Sequence, residues 1–265
     1  MSPGAEVLRH CRDEGRAALI GYLPVGFPSV TGSIEAMLAM VEAGVDIVEV
    51  GLPYSDPLMD GPVIQRATEA ALDAGTRVDD VFTAVRVLAG AGTPAYVMTY
   101  WNLVRNRGVE RFAADLAGAG GSGLITPDLI PDEAGDWLVA ADTHGLDRVF
   151  LVAPSSTPER LQIATDASRG FVYAASTMGV TGTRESVGSA AEGLVERTRA
   201  VLGERELAVC VGLGVSTRVQ AADVSRFADG VIVGSALVRA LGAGDGLTAL
   251  RELTAELAAG VREGR

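Results

Sequence analysis

Eight short apolar runs rich in β-branched residues recur along the chain, at residues 18–23, 47–51, 95–100, 123–127, 148–153, 170–175, 208–212 and 230–234. Between them lie stretches with apolar residues three and four apart, among them residues 33–43, 61–74, 78–89, 108–118 and 190–202, and this spacing predicts amphipathic helices. The strands are too apolar to face water on either side, which is the signature of parallel strands covered by helices. Eight strand–helix alternations favour closure into a (β/α)8 barrel, with an open doubly wound sheet as the second choice. At 265 residues, with no low-complexity tract, linker or short repeat, the whole chain (1–265) is expected to be one domain.

Charge and residue inventory narrow the chemistry. The formal net charge is −12, from 34 acids against 22 bases, and no basic cluster interrupts it. A nucleic-acid or anionic-membrane partner is therefore not expected. The N-terminal segment has no signal-peptide pattern and no apolar run is long enough to span a bilayer, so a cytoplasmic protein is expected. Cys11 and Cys210 lie far apart with no ligand-like spacing and read as reduced thiols. All 22 basic residues are arginine. With no lysine, the chain has no side chain for a Schiff base or for attachment of pyridoxal phosphate. His10 and His144 are its only histidines, too few for a multi-histidine metal site, and neither a metal nor a cofactor is expected.

The remaining candidates are carboxylates, tyrosines, hydroxyls and backbone amides. The second strand carries Glu49 inside an apolar run, Val48-Glu49-Val50-Gly51, and the following loop, Leu52-Pro53-Tyr54-Ser55-Asp56-Pro57-Leu58-Met59-Asp60-Gly61-Pro62, holds two aspartates. Burying a carboxylate in such a strand pushes its pKa up unless it is paired. In a barrel, Glu49 would stand near the C-terminal mouth, where active sites of this fold lie. A buried ion pair with an arginine accounts for such a glutamate equally well, and turn capping is the commoner role of Asp beside Pro and Gly.

Three glycine clusters follow strands six, seven and eight: Gly179-Val180-Thr181-Gly182, Gly212-Leu213-Gly214-Val215-Ser216 and Gly234-Ser235, the last opening a short apolar helical segment at residues 236–241. One glycine pair after a strand is often only a turn. Three after consecutive strands point to a phosphorylated substrate held by backbone amides, with the main site after strands seven and eight.

These residues carry a family resemblance. The stretch Glu49-Val50-Gly51-Leu52-Pro53-Tyr54-Ser55-Asp56-Pro57-Leu58-Met59-Asp60-Gly61-Pro62 resembles the E-x-G-x-P-[FY]-S-D-P-x-x-D-G-P signature of tryptophan synthase α subunits, supported by the glycine clusters and by Asp229-Gly230-Val231-Ile232-Val233-Gly234-Ser235. The resemblance runs from Gly21 to Leu241. It implies a (β/α)8 barrel that cleaves indole-3-glycerol phosphate to indole and glyceraldehyde 3-phosphate. It also implies a pyridoxal-phosphate-dependent β subunit as partner in an α2β2 complex, contacted through residues 53–60 and Tyr100-Trp101-Asn102. The family's active-site acid falls on Glu49, its indole-nitrogen partner on Asp60 and its strand-six tyrosine on Tyr173. Its phosphate-binding amides fall on Gly182, Gly214, Gly234 and Ser235. Tyr22 stands where an aromatic residue, often phenylalanine, lines the indole pocket, and Pro24, Phe27 and Leu213 replace residues commoner in the family.

The inventory accommodates this chemistry. Retro-aldol cleavage needs an electron sink, and without lysine or metal ligands the substrate must supply it. An indole ring does so once C3 is protonated. Glu49 is the expected acid, Asp60 the ionised partner of the ring N–H, Tyr173 a support for Glu49 and Thr181 a support for Asp60. Two other readings share the phosphate site: a sugar-phosphate isomerase or epimerase barrel, which the histidine and lysine deficit opposes, and a catalytically silent barrel that binds a phosphorylated ligand.

Overall fold

The computed structural model describes residues 2–175, 184–212 and 214–264. Among the described residues nine strands run parallel: β1 (Ala18–Pro24), β2 (Ile47–Gly51), β3 (Ala95–Met98), β4 (Gly123–Ile125), β5 (Asp147–Val149), β6 (Leu151–Val152), β7 (Phe171–Ala175), β8 (Ala208–Gly212) and β9 (Gly230–Val233). Their order is β5-β4-β3-β2-β1-β9-β8-β7-β6. The fifth apolar run is the one that breaks in two, at Phe150. Its first half pairs with β4 and its second with β7, so a single pass of chain joins the two ends of the sheet. The result is a (β/α)8 barrel of eight chain passes, as the alternation predicts.

Alternation within each strand sorts the side chains into two layers. Ala18 and Ile20 of β1, Ile47 of β2, Phe171 of β7, Cys210 of β8 and Ile232 of β9 form the barrel interior. Leu19, Val48, Val50, Val172, Val209, Val211 and Val231 face outward into a larger core beneath the helices. Those helices are α1 (Pro3–Asp13), α2 (Val30–Glu42), α3 (Pro62–Asp73), α4 (Val78–Gly90), α5 (Trp101–Arg107), α6 (Val109–Gly118), α7 (Gly135–His144), α8 (Pro158–Ala167), α9 (Arg184–Leu202), α10 (Arg218–Ser225), α11 (Ser235–Leu241) and α12 (Gly246–Glu263). Their starts obey local chemistry. Ser2 and Thr157 accept hydrogen bonds from first-turn amides of α1 and α8, each followed by proline at a position that needs no donor.

Helix α1 closes the N-terminal mouth, packing Leu8 and Cys11 with the interior layer. Buried Asp147 fastens it, accepting hydrogen bonds from Tyr96 at 2.6 Å and from the Ser2 hydroxyl. Cys11 and Cys210 are both buried and free. His10 and His144 sit at helix ends against Glu14 and Glu110, at 3.2 and 2.7 Å. Among the described residues no helix is long and apolar enough to cross a membrane, and no His/Cys/Asp/Glu cluster has a metal-binding arrangement.

Candidate active site

Strand register puts Glu49 inside the barrel. It lies two residues after inward-facing Ile47, and its partner across the β1–β2 ladder is Tyr22. Glu49 is 1 % exposed, its Oε1 has no hydrogen-bond partner, and among the described residues no arginine pairs with it. Burial alone raises its pKa to about 8. The ion-pair account of this glutamate therefore fails, and what remains is a neutral carboxylic acid at neutral pH.

The two loop aspartates part company. Asp56 is exposed and accepts a 2.5 Å hydrogen bond from the hydroxyl of Ser55, a local turn contact. Asp60 turns inward at the foot of α3, where Gln65 Nε2 donates to its backbone carbonyl at 2.8 Å. Burial raises its pKa, and the nearby Tyr100 hydroxyl opposes the rise.

Glu49 and Asp60 line one cavity of about 450 Å³ at the C-terminal ends of the strands. Tyr22 and Tyr173 form part of its wall, and burial pushes both phenols well up, with negative charge on the two acids adding to the effect. Both rings cross the barrel over a glycine. A β-carbon on Gly51 would lie 2.6 Å from a ring carbon of Tyr22, and one on Gly212 would lie 2.8 Å from a ring carbon of Tyr173. Gly212 thus has a role that its place in a glycine cluster did not suggest: it makes room for Tyr173.

The far end of the same cavity is backbone. Gly214 has φ +78°, a left-handed conformation that favours glycine. Gly234 precedes α11, whose first turn has no side-chain cap, and Ser235 begins it. First-turn amides have no partners within their own helix. The structure so brings Tyr22, Glu49, Asp60, Tyr173, Gly214, Gly234 and Ser235 to one cavity. Thr181, Gly182 and Leu213 lie outside the described residues. Pro24 ends β1 opposite Gly51, and Phe27 packs against the core.

Other lining residues were not singled out from sequence. Met98, Leu151 and Ile232 supply apolar wall from β3, β6 and β9, and Met59, Ile64 and Pro127 come from the loop, α3 and the end of the β4 segment. Ile232 keeps the two-residue phase of inward Gly230, a signal readable once the strand is placed.

A closed parallel barrel, with a protonated acid and a second carboxylate opening onto an apolar cavity that reaches the start of a short helix, is an enzyme of the (β/α)8 class. A sequence model described as tryptophan synthase alpha chain matches residues 8–262. The tryptophan synthase alpha chain of Mycobacterium marinum is 67 % identical over 253 residues, covering 96 % of this chain and 92 % of that one. That of Mycobacterium avium is 65 % identical over 257 residues, 97 % and 93 % of the two chains. A solved structure of Mycobacterium tuberculosis tryptophan synthase superposes with a TM-score of 0.92 at 62 % identity, covering 98 % of both chains. The chain belongs to the tryptophan synthase alpha chain family. It is a lyase of tryptophan biosynthesis, cleaving indole-3-glycerol phosphate to indole and glyceraldehyde 3-phosphate.

Proposed function

We propose that Glu49 is the acid and then the base of this cleavage, and that Asp60 is its electrostatic partner. The observation that carries the reading is a neutral, unpaired carboxyl group in a cavity continuous with the amides around Gly214, Gly234 and Ser235. The substrate's phosphate is held at those amides, joined by that of Gly182, and Thr181 steadies Asp60. Its indole ring lies across the apolar wall between Tyr22 and Tyr173.

Glu49 donates its proton to indole C3, giving an indolenine with a cationic nitrogen. Asp60, ionised, accepts a hydrogen bond from the ring N–H and stabilises the charge as it forms. The Glu49 carboxylate then takes the proton of the hydroxyl on the side-chain carbon next to C3. The carbon–carbon bond breaks, its electrons restore the aromatic ring, and the carbon bearing the deprotonated oxygen becomes the aldehyde of glyceraldehyde 3-phosphate. Each turnover returns Glu49 to its protonated form. No lysine or metal ion is needed, because the substrate is its own electron sink.

The whole chain acts as one catalytic unit, with the pyridoxal-phosphate-dependent β subunit as its partner in an α2β2 complex and recipient of the indole. Two free buried thiols suit the reducing cytoplasm. The roles separate by assay of indole release. Glu49→Gln abolishes turnover while the variant still binds a phosphorylated substrate analogue, and Asp60→Asn costs on the order of 3 kcal/mol of transition-state stabilisation. Near-normal turnover in Glu49→Gln removes Glu49 from the mechanism.

A further inference from the structure

The corner after β3 grips the loop that carries Asp60. Tyr100, buried between β3 and α5, accepts a 3.0 Å hydrogen bond from the backbone N–H of Met59. Its ring lies against Tyr54 at the other end of the same loop, with centroids 5.1 Å apart, and Asn102 donates to the Tyr54 hydroxyl at 3.3 Å. The corner itself is fixed to the barrel. The Trp101 N–H donates to both carboxylate oxygens of Asp128, at 2.9 and 3.1 Å, and the Thr99 N–H donates to the Ile125 carbonyl at 3.1 Å. Tyr100 and Asp60 also line a second, water-sized cavity of about 20 Å³ together with Tyr22, Thr68 and Thr99.

A tyrosine hydroxyl has one proton to give and two lone pairs to receive with. The Met59 amide uses a lone pair, so the proton remains for another acceptor, and the carboxylate of the next residue is the charged acceptor beside it. We propose that Tyr100 is a positioning residue for the lyase reaction, its hydroxyl clamping the loop through Met59 and directing its proton to Asp60, so that this carboxylate stays ionised and aimed at the indole N–H. The inference rests on the role given to Asp60 above. The hydroxyl also opposes the upward pull of burial on Asp60, as such an arrangement requires.

Indole release by the full-length chain, measured as kcat and KM across pH, tests it. Tyr100→Phe keeps the ring against Tyr54 and removes only the hydroxyl. The expected result is a fall in kcat of about tenfold, the scale of one hydrogen bond to a charged group, with a smaller change in KM. The acidic limb of kcat/KM moves to higher pH, because Asp60 loses the contact that favours its ionised form. That displacement is read within one variant and does not depend on how much of the preparation is folded. In an Asp60→Asn background the same substitution adds little. An unchanged acidic limb, or an equal loss of kcat in the Asp60→Asn background, overturns the positioning role and leaves Tyr100 a packing residue. Near-normal turnover in Asp60→Asn alone would instead overturn the role of Asp60, on which this inference stands.

Discussion

A carboxylic acid that remains protonated at neutral pH owes that state to what is missing around it. Glu49 has no cation within reach among the described residues and one oxygen without a partner, and hydrocarbon from neighbouring strands replaces water. Its position was legible in the sequence, since a glutamate in phase with inward Ile47 must point into a barrel. Its protonation was not, because an arginine from any other strand would have reversed the pKa shift. With a pKa of about 8, the acid form disappears above that pH, so kcat/KM for indole release is expected to fall on an alkaline limb centred near 8. Stability carries the same signature. An unfolded glutamate ionises near 4.5 and the folded one near 8, so the folded state holds the extra proton between those values. The resulting stabilisation is complete below about 4.5, declines as pH rises, and is gone above about 8, a change on the order of a few kcal/mol. Urea denaturation across this range should show the slope in the native protein and lose it in Glu49→Gln. A slope that survives the substitution would assign the proton to another group.

At the scale of elements, the strand count was legible and its one irregularity was not. Residues 148–153 read as a single apolar run, and only the closure of the barrel obliges the two halves of that run to pair in different directions around Phe150. The glycines show the same limit. Gly212 and Gly214 look alike in sequence, yet Gly214 takes a left-handed backbone whereas Gly212 lies under the Tyr173 ring. A turn glycine announces itself by its neighbours in the chain; a glycine required by a ring from the adjacent strand does not. Gly212→Ala places a methyl group where the tyrosine hydroxyl and ring edge now sit, with the hydroxyl its nearest neighbour. Overpacking of this kind costs about 1–3 kcal/mol, and it should displace Tyr173 from the cavity wall, lowering both the melting temperature and kcat/KM. Adding Tyr173→Phe removes that nearest atom and should return part of the lost stability. If the double variant melts no higher than Gly212→Ala, the clash is not with Tyr173.

The molecule as a whole divides its labour between the two mouths of the barrel. The N-terminal mouth is shut by α1 and held through Asp147, Ser2 and Tyr96, an arrangement suited to stability, while the C-terminal mouth carries the cavity and the loops around it. Those loops expose the apolar surface that a single sequence could not reveal. Leu58 is 79 % and Met59 54 % exposed, directly beside Asp60, so the loop that supplies the second carboxylate also offers side chains that water solvates poorly. A partner covering them would gain apolar burial and fix the same loop that Tyr100 grips from beneath, which couples association to turnover in the proposed complex with a β subunit. Leu58 does not line the cavity, so it separates these effects. Leu58→Asp is expected to leave indole release by the isolated chain unchanged while weakening β-subunit binding about tenfold, the effect of roughly 1.4 kcal/mol, and raising the β-subunit concentration needed for stimulation by a similar factor. Titration calorimetry alongside the lyase assay measures both, and native affinity in Leu58→Asp would place the contact surface elsewhere on the rim.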